Sequence, residues 1–302
     1  MTTHPQRGRR IAFVCGAAII LVAGVAFAFR SGPEVRQDVV PTSTELLEEL
    51  DNDHPDGSPT RKSSMREVLE LAESALRQME GTLNDYTATF VKQQRNEAGE
   101  LSERNEMEVK IQTRLRNETN DAPMRIYLKF IAPESTAGRE VIWGKDLYDG
   151  LMAVHETSML LGWKTIWLEP TGMLAMQGQR FPIYEIGLVR LTEQLLERGK
   201  QDLDNPDVNV TITKGHEFFG RQCELIRATR SKPGGGEDDF SLAEIIFDPD
   251  AMLIVSYRSF GWPEKEGDEL PLLESYEYRN LKTNVGLTDA DFDVENEAYQ
   301  YP

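Results

Sequence analysis

The sequence feature that most constrains the fold is a strict alternation of apolar and polar residues over several short segments. In Met107–Leu115 every second side chain is apolar, and the pattern returns in Met124–Phe130. Successive side chains of a β-strand point to opposite faces, so each segment places its apolar side chains on one face of a sheet. Tyr86, Ala88 and Phe90 have the same spacing and predict a preceding strand. The sequence therefore predicts a sheet with one apolar and one polar face.

Further segments of this kind bring the number of predicted strands to about ten. They lie at 140–143, 147–155, 165–168, 208–213, 222–229, 243–247, 253–257 and 276–281. Asp248-Pro249-Asp250 predicts a hairpin turn between two of them. Because strands and helices do not alternate along the chain, an antiparallel sheet is favoured over a doubly wound parallel one.

Two amphipathic segments are available to cover the apolar face. Ser64 and Glu67 have the spacing of a capping box, and apolar residues then recur at helical intervals up to Gly81. A second helix is predicted over Tyr184–Arg198, with Gly199 as its C-terminal stop. The predicted fold class is α+β: a curved antiparallel sheet, forming an open half-barrel, that wraps one or two helices.

The start of the chain has the composition of a membrane anchor or export signal. Ile11–Phe29 is an uninterrupted run of 19 apolar or small residues, which as a helix spans a hydrocarbon core about 30 Å thick. Arginines precede the run, and this positive charge predicts that the N-terminus stays in the cytoplasm. We predict an uncleaved transmembrane helix over 11–29. The alternative is a cleaved signal peptide, for which Ala26-Phe27-Ala28 offers a small-x-small site.

Charge divides the chain into a basic start and an acidic remainder. Residues 1–30 hold four arginines and no acid, so their +4 leaves −22 on the rest of a chain whose net charge is −18. Such acidity excludes nucleic-acid binding driven by phosphate contacts and disfavours a domain lying flat on an anionic membrane. Residues 30–61 are rich in acids and prolines and predict a disordered linker. The predicted organisation is a cytoplasmic start (1–10), the anchor (11–29), the linker (30–61) and the folded domain (62–302).

The sequence lacks the common catalytic motifs. It has no nucleophile elbow, zinc-binding helix or phosphate-binding loop. In the predicted domain, His155 ends a strand, His216 lies in a charged turn, and Cys223 is expected to be a small buried strand residue. The alternating acids of Asp289–Asp293 lack the glycine and the final glutamate of a calcium loop, so a solvated tail is predicted. No catalytic residue, metal ligand or cofactor is predicted.

The strongest indication of a ligand site is a loop rich in methionine and tryptophan, residues 160–188. Methionine is flexible and polarizable and suits surfaces that accept varied apolar partners. This loop is predicted to gate an apolar cavity; the alternative is an ordinary lid on the core. The candidate cavity residues are Met107, Val109, Ile111, Leu115, Ile126, Leu128, Phe130, Trp143, Trp163, Met173, Leu174 and Met176.

Five segments, residues 85–95, 129–133, 138–144, 170–188 and 291–299, together resemble an uncharacterised bacterial family, domain-of-unknown-function family 1571. The resemblance covers residues 65–302. Where that family often has a His before Pro182 and a final Phe, this chain has Phe181 and Tyr301, which argues against a role for that His. The family is in turn similar to the periplasmic lipoprotein carriers LolA and LolB, whose open half-barrel surrounds an apolar cavity. Similarity of fold does not determine function.

Together the residues and the resemblance predict a membrane-tethered envelope protein that is not an enzyme. It would be anchored in the inner membrane with its domain in the periplasm, and would bind a lipid, lipoprotein or other apolar ligand in the half-barrel; cleavage would make it periplasmic or secreted. One alternative is a non-catalytic sensing module that meets a protein partner. Another is a carboxylate-based hydrolase, although 51 acids make carboxylate pairs uninformative.

Overall fold

The computed structural model of the protein describes residues 59–96, 99–157, 162–235, 239–265 and 267–302. The predicted anchor at 11–29 and nearly all of the predicted linker lie outside these residues. Within them, no helix is both long enough and apolar enough to cross a membrane.

Twelve strands form one antiparallel sheet in the described part of the chain. They are β1 (Thr60–Ser63), β2 (Asp85–Gln94), β3 (Asn105–Gln112), β4 (Arg125–Ala132), β5 (Glu140–Gly144), β6 (Met152–His155), β7 (Ile166–Leu168), β8 (Val208–Phe218), β9 (Arg221–Arg230), β10 (Leu242–Asp248), β11 (Leu253–Phe260) and β12 (Leu272–Thr283).

The order of the strands in the sheet is β1-β8-β9-β10-β11-β12-β2-β3-β4-β5-β6-β7. Strands β2–β7 form one meander and β8–β12 form another, and the two meet where β12 pairs with β2. The remaining strand, β1, pairs with β8. The sheet is open and curved, with β1 and β7 at its two edges. With the two helices described next, this architecture confirms the predicted α+β class with an antiparallel sheet.

Helix α1 (Met65–Met79) begins where the sequence predicts. The Ser64 hydroxyl accepts the backbone N–H of Glu67 at 3.3 Å, as an N-cap does. The Glu67 carboxylate does not complete the capping box; it accepts hydrogen bonds from Arg61 and from Ser63 of β1. This carboxylate therefore ties the first strand to the first helix.

Helix α2 (Leu188–Gln201) differs from its prediction at both ends. Residues Ile183–Glu185 form a separate 3-10 turn, and Gly187 has a φ of 120°, so the α-helix starts only at Leu188. Gly199 does not stop the helix. A Cβ at position 199 would lie 2.9 Å from Leu69 Cδ2, so this glycine permits α1 and α2 to pack closely.

The N-terminus of α2 is buried against the sheet and is capped by two tyrosines. The backbone N–H of Gly187 donates to the Tyr278 hydroxyl, and that of Leu188 donates to the Tyr86 hydroxyl, each at 3.0 Å. Burial raises the pKa of both phenols, so they stay neutral. The two tyrosines belong to β12 and β2, the strands at which the two meanders meet.

Several local predictions are corrected by the structure. Thr60 and Arg61, predicted as linker, belong to β1, whose polar residues show no alternation. His216 lies within β8 opposite Cys223, at an irregularity of the pairing, and not in a turn. The predicted strand at 147–155 is shortened to Met152–His155, because Tyr148–Gly150 forms a 3-10 turn in which Asp149 has a φ of 56°.

Two apolar layers lie on opposite faces of the sheet. The main core is on the face covered by α1 and α2, where Val68 and Leu191 are among the buried helix residues. On the other face, Phe292 from the C-terminal segment packs with Tyr127 and Ile142. Asp291 of this segment forms a 2.7 Å ion pair with Lys110. The prediction of a solvated tail over 289–293 is therefore wrong, because Phe292 anchors the segment to the sheet.

Removing either tyrosine hydroxyl should destabilise the protein. We expect Tyr86→Phe and Tyr278→Phe each to lower the free energy of unfolding by about 1–3 kcal/mol, because a buried N–H loses its acceptor. Urea unfolding of residues 40–302, which form one compact unit, measures the change. Tyr184→Phe, at an exposed tyrosine, is the matched control and should leave stability unchanged. A loss no greater than that of the control would contradict the role of the caps.

Candidate apolar ligand site

An apolar pocket lies between the two helices and strands β9, β10 and β11, with a cavity volume of about 90 Å³. Residues at alternate positions of these strands form its floor, as the period of a strand requires. The roof comes from α1 and from Leu195 of α2. The floor residues are Ile226, Ala228, Ala243, Ile245, Phe247 and Ile254.

Small residues on both sides leave this space open. Ala72 and Gly199 line the pocket from the helices, and Ala228 and Ala243 line it from the sheet. Protein interiors are packed as densely as organic crystals, so a cavity persists only where side chains are too short to meet. Larger residues at these positions would fill the pocket.

Three arginines and two carboxylates are the charged residues that line the pocket. Arg198 donates to Glu274 at 2.6 Å and to the Tyr257 hydroxyl at 3.3 Å. Arg230 forms a 2.7 Å ion pair with Asp202, the C-cap residue of α2. With Arg180 as the third arginine, the lining has one more positive than negative group, in a chain whose net charge is −18.

A buried polar network extends from this rim across β12 and β2. The Tyr276 hydroxyl lies 3.0 Å from Glu274 Oε2 and 3.2 Å from Gln94 Oε1. Burial and the nearby Glu274 carboxylate raise the pKa of Tyr276, so it remains a neutral donor. Among the described residues, Gln94 Nε2 is a buried donor without a hydrogen-bond partner. The network therefore keeps one amide donor unsatisfied.

Lys92 of β2 connects the methionine-rich loop, residues 160–188, to the face of the sheet that carries the pocket. Its ammonium donates to Gln179 Oε1 at 2.6 Å. Burial disfavours the charged form and lowers the pKa of Lys92 to about 8. The residue after Gln179, Arg180, lines the pocket, so the loop reaches the rim through a polar segment.

None of the twelve residues predicted from the sequence lines this pocket. Those on the strands and Leu115, which lies just beyond β3, belong to the filled part of the core, where Phe130 is half-buried and the rest are buried. Ile183 and Ile186 from the loop pack against the main core. Alternation identifies the apolar face of a strand, but it cannot show which part of the face is filled.

The loop residues predicted to gate the cavity point largely to solvent. Met173 is 86% exposed and Leu174 is 68% exposed, while Trp163 is 70% exposed. Met176 is half-buried and does not line the pocket. The alanines and Gly199 at the helix–sheet contact were the available sequence signal for the pocket, but small residues also occur throughout ordinary cores.

Cys223 and His155, the other residues with reactive side chains considered in the sequence, are both buried in the fold. Cys223 is buried on β9 as predicted, and burial raises the pKa of its thiol to about 11. His155 ends β6 as predicted and is buried 5.9 Å from the Tyr301 ring. Among the described residues, no group of three or more His, Cys, Asp or Glu side chains is arranged to hold a metal ion.

A family model described as "Protein of unknown function (DUF1571)" matches residues 83–301 and confirms the resemblance seen in the sequence. No curated protein matches the chain. Among solved structures, a DUF1329 family protein from Desulfovibrio piger is 14% identical, with 76% of this chain and 98% of that chain covered and a TM-score of 0.33.

Two further solved structures are similar at the same low level. MucB in its complex with MucA from Pseudomonas aeruginosa is 15% identical, with 74% of this chain and 60% of that chain covered and a TM-score of 0.38. A LolA superfamily protein from Nitrosomonas europaea is 9% identical, with 74% of this chain and 97% of that chain covered and a TM-score of 0.29. At these values the likenesses say nothing about what this chain binds.

The partly buried ammonium of Lys92 should make stability depend on pH. With a folded pKa of about 8 and an unfolded pKa near 10.4, the unfolded state binds more protons between those values, so stability rises with pH there. We expect the stability of wild type to increase over this range relative to Lys92→Met. Urea unfolding of both proteins at several pH values measures this difference.

The control for this measurement is Lys282→Met, at an exposed position of β12. Its stability should follow the wild-type pH profile. A Lys92→Met profile parallel to that of wild type would show that burial does not shift this lysine.

Proposed function

The chain belongs to the DUF1571 family, and we propose that it is a non-catalytic envelope protein that binds the acyl chain of a lipid, a lipoprotein or a similar apolar ligand. The observation that supports this most directly is the pocket between the helices and the sheet, apolar at its floor and charged at its rim. An amphipathic ligand would place its chain against Ile245 and Phe247. Its polar end would then lie beside Arg180 and Arg198.

The size of the pocket decides how such a ligand enters. The cavity of about 90 Å³ is smaller than the ~150 Å³ engineered cavity that holds benzene, and well below the ~300–1,000 Å³ of small-molecule sites. A complete acyl chain therefore requires the helices to move away from the sheet. We propose that the structure corresponds to a closed form of the site.

The contacts of the helices favour one such movement. The two helices contact each other more than either contacts any single strand, so they can move as a pair. Gly187 and Leu188 hold the start of α2 to the sheet through the tyrosine hydroxyls. The pocket lies at the other end of α2, beside Leu195 and Gly199. We propose that α2 pivots about its N-terminus when a ligand enters.

Two ion pairs hold the mobile end of α2 closed, and we call them the latch. Arg198 of α2 pairs with Glu274 of β12, and Asp202 after α2 pairs with Arg230 of β9. Glu274 and Asp202 are both buried. Opening separates charges that are only partly solvated, so the latch opposes movement until a ligand compensates by filling the pocket.

The location of the protein is proposed from the sequence. We propose that residues 11–29 anchor the chain in the inner membrane and that the acidic linker holds the domain in the periplasm. The mass of the mature N-terminus, measured on protein from the native envelope, tests this. A chain that begins after Ala28 would replace the anchored form by a cleaved, periplasmic one.

Filling the pocket should abolish ligand binding. We expect residues 40–302 to bind a fluorescent fatty acid saturably, and Ala243→Leu to weaken this binding at least tenfold, because leucine occupies the floor. Equilibrium fluorescence titration measures the affinity, and circular dichroism checks the fold. Ala290→Leu, at an exposed position outside the pocket, is the matched control. The absence of saturable binding, or equal binding by Ala243→Leu, would contradict the proposed function.

Weakening the latch should speed ligand entry. We expect the double variant Arg198→Gln and Glu274→Gln, which removes the charges but keeps hydrogen-bonding groups, to raise the association rate of the same probe several-fold. Stopped-flow fluorescence measures this rate. The charge-neutralising pair Arg77→Gln and Glu73→Gln, at an exposed ion pair on α1, serves as control. An unchanged rate in the latch variant would argue against the pivot.

A further inference from the structure

A wide groove lies on the opposite face of the sheet from the apolar pocket. It runs between β7, with the residues just before it, and the C-terminal segment, and its volume is about 650 Å³. Unlike the apolar pocket, this groove is large and open to solvent. The residues on which its chemistry depends are Trp163, Trp167, Glu295, Glu297, Tyr299 and Tyr301.

Aromatic rings are the first distinctive feature of the groove. Trp163 is 70% exposed and Trp167, whose ring packs on Tyr148 at 4.9 Å, is 44% exposed; exposed apolar surface rimmed by polar residues is typical of interaction sites. Tyr299 also lines the groove, and its ring stacks on that of Tyr127 with the centroids 4.2 Å apart. Aromatic faces attract cations, and Lys164 Nζ already lies 5.4 Å from the Trp163 ring centroid.

Charge is the second feature. Glu295 and Glu297 are exposed on the C-terminal wall of the groove, and among the described residues no lysine or arginine forms an ion pair with either carboxylate. Lys164 is the only basic residue of the lining. The groove therefore has two carboxylates and one ammonium, a balance that favours a positively charged occupant.

A free strand edge is the third feature. β7 is the last strand of the sheet, so no strand in the described part of the chain pairs with its outer edge. Such an edge offers backbone N–H and C=O groups to an added strand. Thr165 and Trp167, at this edge, also line the groove, so a segment pairing with β7 would carry its side chains into it.

From these three features we infer that the groove binds an extended, positively charged segment of a protein partner. Arginine or lysine side chains of that segment lie over the faces of Trp163 and Trp167 and pair with Glu295 and Glu297. Its backbone adds to the edge of β7, a common mode of peptide recognition. The site is separate from the apolar pocket and does not depend on what that pocket binds.

The charge of the chain excludes its own linker as the occupant. Residues 31–61 contain eight acids and two arginines, and this segment would be repelled by Glu295 and Glu297. The remaining basic segment, with Arg7, Arg9 and Arg10, precedes residues 11–29, which in the topology we propose puts it on the cytoplasmic side of the membrane. The partner segment therefore comes from another protein.

Fluorescence anisotropy with labelled peptides tests the inference on the full-length chain in a non-ionic detergent. The probe is a short peptide of alternating arginine and glycine, compared with peptides in which citrulline or glutamate replaces arginine. We expect saturable binding of the arginine peptide that weakens with salt, as exposed charge pairs require. Binding of the other two peptides should be absent or much weaker.

The variant Glu295→Gln with Glu297→Gln should weaken binding of the arginine peptide about 3- to 10-fold, the effect of two exposed ion pairs. Trp163→Ala should weaken it further. Glu264→Gln with Glu269→Gln makes the same change of charge at exposed positions elsewhere and should bind like wild type. Equal loss in this control, equal binding of the citrulline peptide, or no saturable binding would overturn the inference. Saturable binding of choline or of an N-acetylglucosamine oligomer, together with no binding of the arginine peptide, would also overturn the inference.

Discussion

The buried N-terminus of α2 is the constraint on which the arrangement of the domain depends. A helix start leaves backbone N–H groups unsatisfied, and here two of these groups are turned into the sheet and not toward water. Tyr278 and Tyr86 supply the missing acceptors from adjacent strands, one in each meander. The two bonds therefore do more than cap a helix, because they set where α2 crosses the junction of the two halves of the sheet. Gly187 makes this possible, since its φ of 120° turns the chain sharply onto the sheet where a side chain would clash with Tyr86.

The position of α2 determines the apolar pocket in turn. Gly199 lets α1 pack closely on α2, so both helices lie together over β9, β10 and β11, where short side chains of the sheet leave space beneath them. The ion pairs at Glu274 and Asp202 close the end of α2 that the tyrosines do not hold. One end is fixed by hydrogen bonds to neutral groups and the other by charged groups at a rim. The pivot that we propose for α2 rests on this difference between its two ends.

The two faces of the sheet differ in what covers them. One face is apolar and covered by the helices, with the apolar pocket between them and the sheet. The other is closed over part of its area by the C-terminal segment, which Phe292 and the Lys110–Asp291 ion pair hold in place. Between this segment and β7 lies the open groove, which is lined by aromatic and acidic residues. The pocket and the groove thus lie on opposite faces of the sheet and share no lining residue.

The sequence by itself determined most of the strands, the antiparallel class and the start of α1, because alternation and the Ser64 cap are local properties of neighbouring residues. It also indicated the burial of Cys223 and the family to which the chain belongs. It missed β1, whose polar residues do not alternate. Only the tertiary structure decided where the apolar face is filled and where it is not. Met107 and Ile126 have the same alternation as Ala243 and Ile245, yet the first pair lies in the packed core and the second lines the pocket. The reason is that a cavity depends on the distance between surfaces from remote parts of the chain, here the helices and β9 to β11. The same holds for Asp291 and Phe292, whose partners on β3, β4 and β5 are far away in the sequence.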